Sequence, residues 1–117
     1  MDKKFWEKLE RIYKESQIII DRPKGTAHPR FPELMYPLDY GYLKNTVSGD
    51  GNEIDLWLGS KPEKELEYII CTVDVLKRDV EIKLLCGCTE EEKNIILEFH
   101  NNSEYMSGIC IERHPAQ

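Results

Sequence analysis

Residues 3–16 place Phe5, Trp6, Leu9, Ile12 and Tyr13 at helical spacing, with lysine and glutamate filling the other face. That is the pattern of an amphipathic helix docked on a domain. The β-branched run Ile18-Ile19-Ile20 within 17–21 predicts a short strand. From 22 to 37 the chain carries Pro23, Gly25, Pro29, Pro32 and Pro37. Proline donates neither a ladder nor a helix hydrogen bond, so this segment reads as an extended, irregular loop. A loop that long in a compact domain is usually functional. Strands are predicted over 40–47 and 54–58, separated by the turn-rich Ser48-Gly49-Asp50-Gly51-Asn52. Residues 66–77 are β-rich, and 80–85 alternates enough to pair with them as a hairpin across Arg78-Asp79. Thr89-Glu90-Glu91-Glu92 is a capping box that opens a second helix, and Ile95, Ile96 and Phe99 give that helix a buried stripe. A last strand is expected over 109–112. The pattern predicts an α+β fold, an antiparallel sheet or small barrel with a helix near each end. Trp6, Leu9 and Ile12 should be buried on the first helix, and Ile96 and Phe99 on the second.

Composition narrows the class. The 117 residues, 40% hydrophobic and 32% charged, suit one globular domain spanning 1–117, with enough chain to bury a core without crosslinks. The formal net charge of −6 speaks against nucleic acid or an anionic membrane as partner, since both attract basic surfaces. It leaves room for a small phosphate ligand held by a few lysines and bridging cations. No stretch approaches the roughly 20 apolar residues of a membrane span. The first residues lack the apolar run and cleavage site of a secretory signal, so the cytoplasm is the expected compartment. Cys71, Cys86, Cys88 and Cys110 are then expected as reduced thiols. Cys86-Gly87-Cys88 has the wrong spacing for a zinc knuckle or redox pair, and all four lie in apolar runs that read as core.

The densest polar cluster is Tyr36-Pro37-Leu38-Asp39-Tyr40-Gly41-Tyr42, followed by Asp50-Gly51-Asn52-Glu53-Ile54-Asp55. Carboxylates five residues apart around a glycine can converge on a hard cation that requires oxygen ligands. Taken alone, Asp50-Gly51 is read more economically as a solvated hairpin turn. A calcium loop is excluded, because the series of oxygen ligands and the closing glutamate are missing.

Taken together, Tyr36-Pro-x-x-Tyr40-Gly41-Tyr42, Asn45-Thr46 and Asp50-Gly51-Asn52-Glu53-Ile54-Asp55-Leu56 resemble the soluble family I inorganic pyrophosphatases. That family shows Asp-x-Asp-Pro/Glu-apolar-Asp-apolar after a Tyr-Pro-x-x-Tyr-Gly strand. The likeness is strong over 36–58 and continues weakly to about 85. Upstream, Ile20-Asp21-Arg22-Pro23-Lys24-Gly25 is similar to the family's acidic-x-Pro-Lys-Gly segment. Downstream, Val75-Leu76-Lys77 and the acidic stretch before Lys83 are similar to its Gly-Val-Leu strand and third acidic cluster.

The resemblance implies a small five-stranded antiparallel, OB-like β-barrel with flanking helices, binding Mg²⁺ (or Mn²⁺) and pyrophosphate or a small phosphoanhydride. Asp50, Asp55, Asp79 and Glu81 would be metal ligands. Tyr40 and Lys83 would contact phosphate and serve catalysis, with Lys24, Arg22 and Arg30 as further phosphate contacts. A solvated surface charge accounts for Arg22 and Arg30 equally well. A homo-oligomer is compatible with these features.

The pattern also departs from the family. Asn52 stands at the middle catalytic aspartate, and an amide neither takes up a proton from water nor binds magnesium as strongly as a carboxylate. The acidic hairpin is shortened to Lys77-Arg78-Asp79-Val80-Glu81, and Asn101 and Asn102 sit near the family's Tyr-Lys pair. Three readings follow: a Mg²⁺-dependent phosphoanhydride hydrolase, a catalytically weakened metal–phosphate binding module, or an interaction scaffold with a decayed site. The retained Asp50, Asp55, Tyr40 and Lys83 argue against the scaffold.

Overall fold

The computed structural model describes residues 2–114. Its elements run α1 (Lys3–Lys14), β1 (Ile18–Arg22), β2 (Asp39–Leu43), β3 (Ile54–Leu58), β4 (Leu66–Asp74), β5 (Asp79–Cys86), α2 (Glu90–Asn101) and β6 (Met106–Glu112). The fold is α+β, as the hydrophobic pattern implies.

The six strands form one sheet in the order β1-β2-β3-β5-β4-β6. Four pairings are antiparallel, but β3 and β5 run parallel, with Leu56 opposite Leu84 and Leu58 opposite Cys86. β1 and β6 are the two edges, and they do not pair with each other. The five-stranded antiparallel barrel expected from the resemblance is therefore corrected to a six-stranded, mixed, open sheet. The cause is the path after β3. The chain passes over β5's place, lays down β4 one position further out, and returns through a hairpin so that β5 fills the gap alongside β3 in the same direction. β6 then adds to the far side of β4, which separates it from β1 by four strands.

The helices cover opposite faces. On one face Trp6 and Tyr13 of α1 pack with Leu43, Leu56, Leu66, Ile69, Leu84 and Cys86. The Tyr13 hydroxyl donates to the Lys64 carbonyl at 2.7 Å, and Arg113 donates to Glu10 at 2.8 Å. The apolar stripe centres on Trp6, Leu9 and Tyr13, which rotates Ile12 onto a flank where it is 42% exposed; the expectation that Ile12 is buried is corrected. On the other face Ile96 of α2 is buried with Tyr36, Leu38, Tyr40, Trp57, Ile70 and Leu85, while Phe99 is only partly buried against them and Ile95, expected in the buried stripe, is exposed instead. The Thr89 capping box forms as expected: the Thr89 hydroxyl accepts from the Glu92 N–H at 3.1 Å, and the Glu92 carboxylate accepts from the Thr89 N–H at 2.9 Å.

Several element ends shift for local reasons. β2 stops at Leu43 rather than 47, because Asn45 turns to a left-handed φ of 63° and the Thr46 hydroxyl accepts from the Ile54 N–H. β4 stops at Asp74 rather than 77, because the Asp74 carboxylate accepts from the Leu76 and Lys77 N–H groups and starts the turn. β6 begins at Met106, three residues before the apolar run that announces it. Cys86 and Cys88 are buried as expected, whereas Cys71 and Cys110 are only half-buried, and all four are free thiols.

Gly41 explains why Tyr-Gly-Tyr suits β2. A side chain there would put its Cβ 1.9 Å from the Ile19 carbonyl oxygen, so β1 can close onto β2 only over a glycine. No helix among the described residues is long and apolar enough to cross a membrane.

Candidate functional site

The polar residues gather at one end of the sheet, on the face that also carries α2. Side chains alternate along a strand, so Asp79, Glu81 and Lys83 of β5 line that face in sequence. On β3 the same face receives Asp55, and on β2 it receives Tyr40, opposite Trp57. The parallel pairing of β3 with β5 matters here, because it sets the starting ends of both strands side by side. The turn that precedes β3 carries Asp50, which is thereby delivered beside the first residues of β5. An antiparallel pairing would have put them at opposite ends.

Asp50, Asp79 and Glu81 each offer one carboxylate oxygen, and these oxygens all lie within 4.8 Å of one another. Asp50 is fixed by its own turn: the Ser48 hydroxyl and the Asn52 backbone N–H (3.0 Å) donate to one carboxylate oxygen, and the Asn52 amide approaches the other at 3.5 Å. The Ser48 and Asn52 donors hold its pKa down, at about 2. Among the described residues this is the cluster of three carboxylates able to hold a cation. The donors are all oxygen, the set that hard divalent cations select.

Lys83 forms the floor beside this trio. Its ammonium donates to Glu81 at 2.7 Å, to the Tyr40 hydroxyl at 2.8 Å and to Asp55 at 3.1 Å. These partners use all three of its donors. Burial opposes the charge, but Tyr40, Asp55 and Glu81 outweigh it and hold the pKa above the ordinary lysine value. The Tyr40 hydroxyl passes the bond on, donating to Asp55 at 2.8 Å, and burial raises its own pKa. The result is a chain of donors from Lys83 through Tyr40 to Asp55, with Glu81 linking it to the acidic trio.

Arg22 lies alongside. It donates to the Tyr36 hydroxyl, and its guanidinium sits 5.5 Å from the Tyr36 ring centre and 5.8 Å from that of Tyr40. Lys24 reaches Asp39 only through its backbone N–H, and Arg30 reaches the His28 ring nitrogen in the same way. Both side chains are exposed and make no ion pair among the described residues. Asp55 is placed with Lys83 and Tyr40, not in the trio of Asp50, Asp79 and Glu81. Asn52 is a donor to Asp50, and Asn101 lies elsewhere, bridging α2 to β6 through Leu97 and Gly108.

Sequence reasoning missed three contributors. Ser48 locks Asp50, and its spacing two residues ahead is the available signal. Tyr36 orients Arg22 and stacks within 5.9 Å of the His28 ring. His100, four residues after Ile96 on the same helical stripe, accepts from the buried Trp57 indole N–H at 3.1 Å and so fixes the aromatic wall behind Tyr40. Comparison of the chain with protein-family models, curated proteins and solved structures finds no match.

Proposed function

We propose that this chain hydrolyses inorganic pyrophosphate, or a related phosphoanhydride, with Mg²⁺ or Mn²⁺ held at Asp50, Asp79 and Glu81. The observation that carries the reading is the juxtaposition of this trio with a buried, charged Lys83. Three converging carboxylates repel one another until a cation joins them, and the lysine beside them can receive the charge of a phosphate. Bound there, a divalent cation neutralises phosphate oxygens and lowers the pKa of water. Lys83 contributes positive charge beside the phosphate position, held in place by Glu81, Tyr40 and Asp55, and Tyr40 is fixed in turn by Asp55. Arg22 stands ready at the rim as a bidentate phosphate donor.

Phosphate release from pyrophosphate, polyphosphate and nucleotides with Mg²⁺, Mn²⁺ or Co²⁺ tests the reading. Release should be metal-dependent and greatest with pyrophosphate. No release from any of them, with a folded protein, removes it.

Cation binding provides a separate check. Calorimetry with Mg²⁺ and a nonhydrolysable pyrophosphate analogue should show cooperative binding, because Mg²⁺ commonly completes its shell with substrate oxygens. Asp50→Asn should weaken it by about tenfold or more. Asp55→Asn tests the resemblance against the geometry: weakened binding assigns Asp55 to the cation, whereas unchanged binding leaves the trio as the whole site.

Asn52 favours a second reading, a metal–phosphate binding module, because its amide donates to Asp50 and has no capacity to take a proton. General-base assistance contributes about 10²–10⁴ in rate, so turnover should be slow. Asn52→Asp is expected to raise it by about tenfold, roughly 1.4 kcal/mol of barrier. No gain in a variant that still binds metal and pyrophosphate gives the binding module precedence.

A further inference from the structure

The face of the sheet opposite the candidate site is only partly covered. Three rows of side chains cross β5, β4 and β6 there, set by the strand registers. Leu84, Ile69 and Ile111 form the first, Ile82, Cys71 and Ile109 the second, and Val80, Val73 and Ser107 the third. α1 covers the first row, burying Leu84 and Ile69. The other two are open: Val80 is 74% exposed, Ile109 65%, and Val73 and Ile82 45% each. Val75 and Leu76, at the adjoining hairpin tip, are also exposed, at 66% and 65%. Cys71, Val73, Val80, Ser107 and Ile109 line a shallow depression of about 250 Å³ in the middle.

The alternation is inverted relative to an ordinary half-exposed sheet. In Val80-Glu81-Ile82-Lys83-Leu84 the charged residues face the candidate site, while Val80 and Ile82 face water and only Leu84 is covered, by α1. An antiparallel sheet with one face in solvent normally turns its polar residues outward. Aliphatic positions in this register mark a face that is covered in the working protein.

We propose that a second copy of this chain covers it, the two sheets packing face to face about a two-fold axis. Area supports that occupant. With Ile111, these side chains expose on the order of 600 Å² of surface, at the upper end of monomer patches and most of the roughly 800 Å² per partner in a stable interface. The two open rows contain no charged residue, so identical faces meet without repulsion despite the net charge of −6. A flat aliphatic face is self-complementary, as an isologous contact requires, and sheets stack readily in this way. The contact leaves the carboxylates and Lys83, on the other face, open to solvent in both copies.

Sedimentation equilibrium of the whole chain should show a dimer at concentrations on the order of 10 μM, a typical strength for an interface near this size. Ile82→Lys and Ile109→Lys should each give a monomer, while Val47→Lys, more exposed than either but outside the patch, should leave the dimer intact. A wild-type monomer throughout, or a dimer that survives both patch substitutions, overturns the proposal. Should the lysine variants not fold, the wild-type thiols decide. Cys71 lies in the patch and Cys110 on the opposite face, so rising protein concentration should slow alkylation of Cys71 and leave Cys110 unchanged. Equal behaviour of the two thiols overturns the proposal.

Discussion

On the proposed function, Lys83→Met is expected to lower pyrophosphate turnover by about 10²–10³-fold, the usual loss when one preorganised group that stabilises a developing negative charge is removed. The substitution keeps the length of the stem, so packing against Tyr40 should persist while the ammonium is lost. Its three bonds, to Glu81, Tyr40 and Asp55, disappear together. Asp55 and Glu81 retain partial access to water, their side chains 33% and 16% exposed, so the residual carboxylates can be hydrated. The stability cost should accordingly stay near about 1–3 kcal/mol, below that of truncating a fully buried pair. Lys83→Arg should not restore turnover, because a planar fork does not reproduce three tetrahedral donors in this space. The readout is kcat against KM for pyrophosphate, with circular dichroism to confirm folding. A loss confined to KM would make Lys83 a ground-state binding group, and unchanged kcat/KM would remove it from the site.

The residues that make the site were easier to read than the sheet that assembles them. Alternation along 80–85 puts Glu81 and Lys83 on one face, whereas Asp79, read as part of the hairpin turn, joins them only because β5 begins one residue earlier than the apolar pattern shows. Tyr40-Gly41-Tyr42 was singled out through its resemblance to a family motif, and the structure supplies the local reason for its glycine, the close approach of β1 at Ile19. The parallel neighbourhood of β3 and β5 was not legible, because nothing in either strand specifies direction relative to a partner nearly thirty residues away. That pairing decides which acidic residues meet. Asp50 and Asp55 are close in sequence, yet the geometry sends Asp50 to Asp79 and Glu81 and gives Asp55 to Lys83. Ile12 shows the limit of helical periodicity: the spacing is right, but only the sheet determines which residues form the centre of the stripe. The early start of β6 at Met106 was hidden by Ser107 and Gly108, which have little strand preference of their own. Gly108 suits the position, since a Cβ would come 3.1 Å from the Ile70 side chain and oblige it to shift by a few tenths of an ångström.

His100 is expected to make the fold acid-sensitive well above the range where carboxylates titrate. Its Nε2 accepts from the Trp57 indole N–H at 3.1 Å, so the proton of the neutral ring sits on Nδ1, facing the Met106 sulfur at 3.3 Å. Charging the ring would place a second hydrogen against the indole N–H and a cation in a buried apolar pocket. Burial, reinforced by the Lys83 charge, lowers its pKa from 6.5 to about 3. The unfolded chain therefore takes up this proton first as pH falls. The contribution to stability is complete above about pH 6.5 and is lost progressively as pH drops from there toward 3. The slope is about 1.4 kcal/mol per pH unit, so roughly 2 kcal/mol should disappear between pH 7 and pH 5. His28, also lowered by burial, adds to the slope with the same sign. Asp50 does not interfere, since its contribution is lost only as pH falls from 3.8 toward about 2, below that window. Chemical denaturation at pH 7, 6 and 5 measures the effect. His100→Gln keeps an acceptor for Trp57 but carries no titrating ring, and its stability should be nearly level across that window. An equally steep decline in this variant would locate the acid sensitivity outside the Trp57–His100 pair.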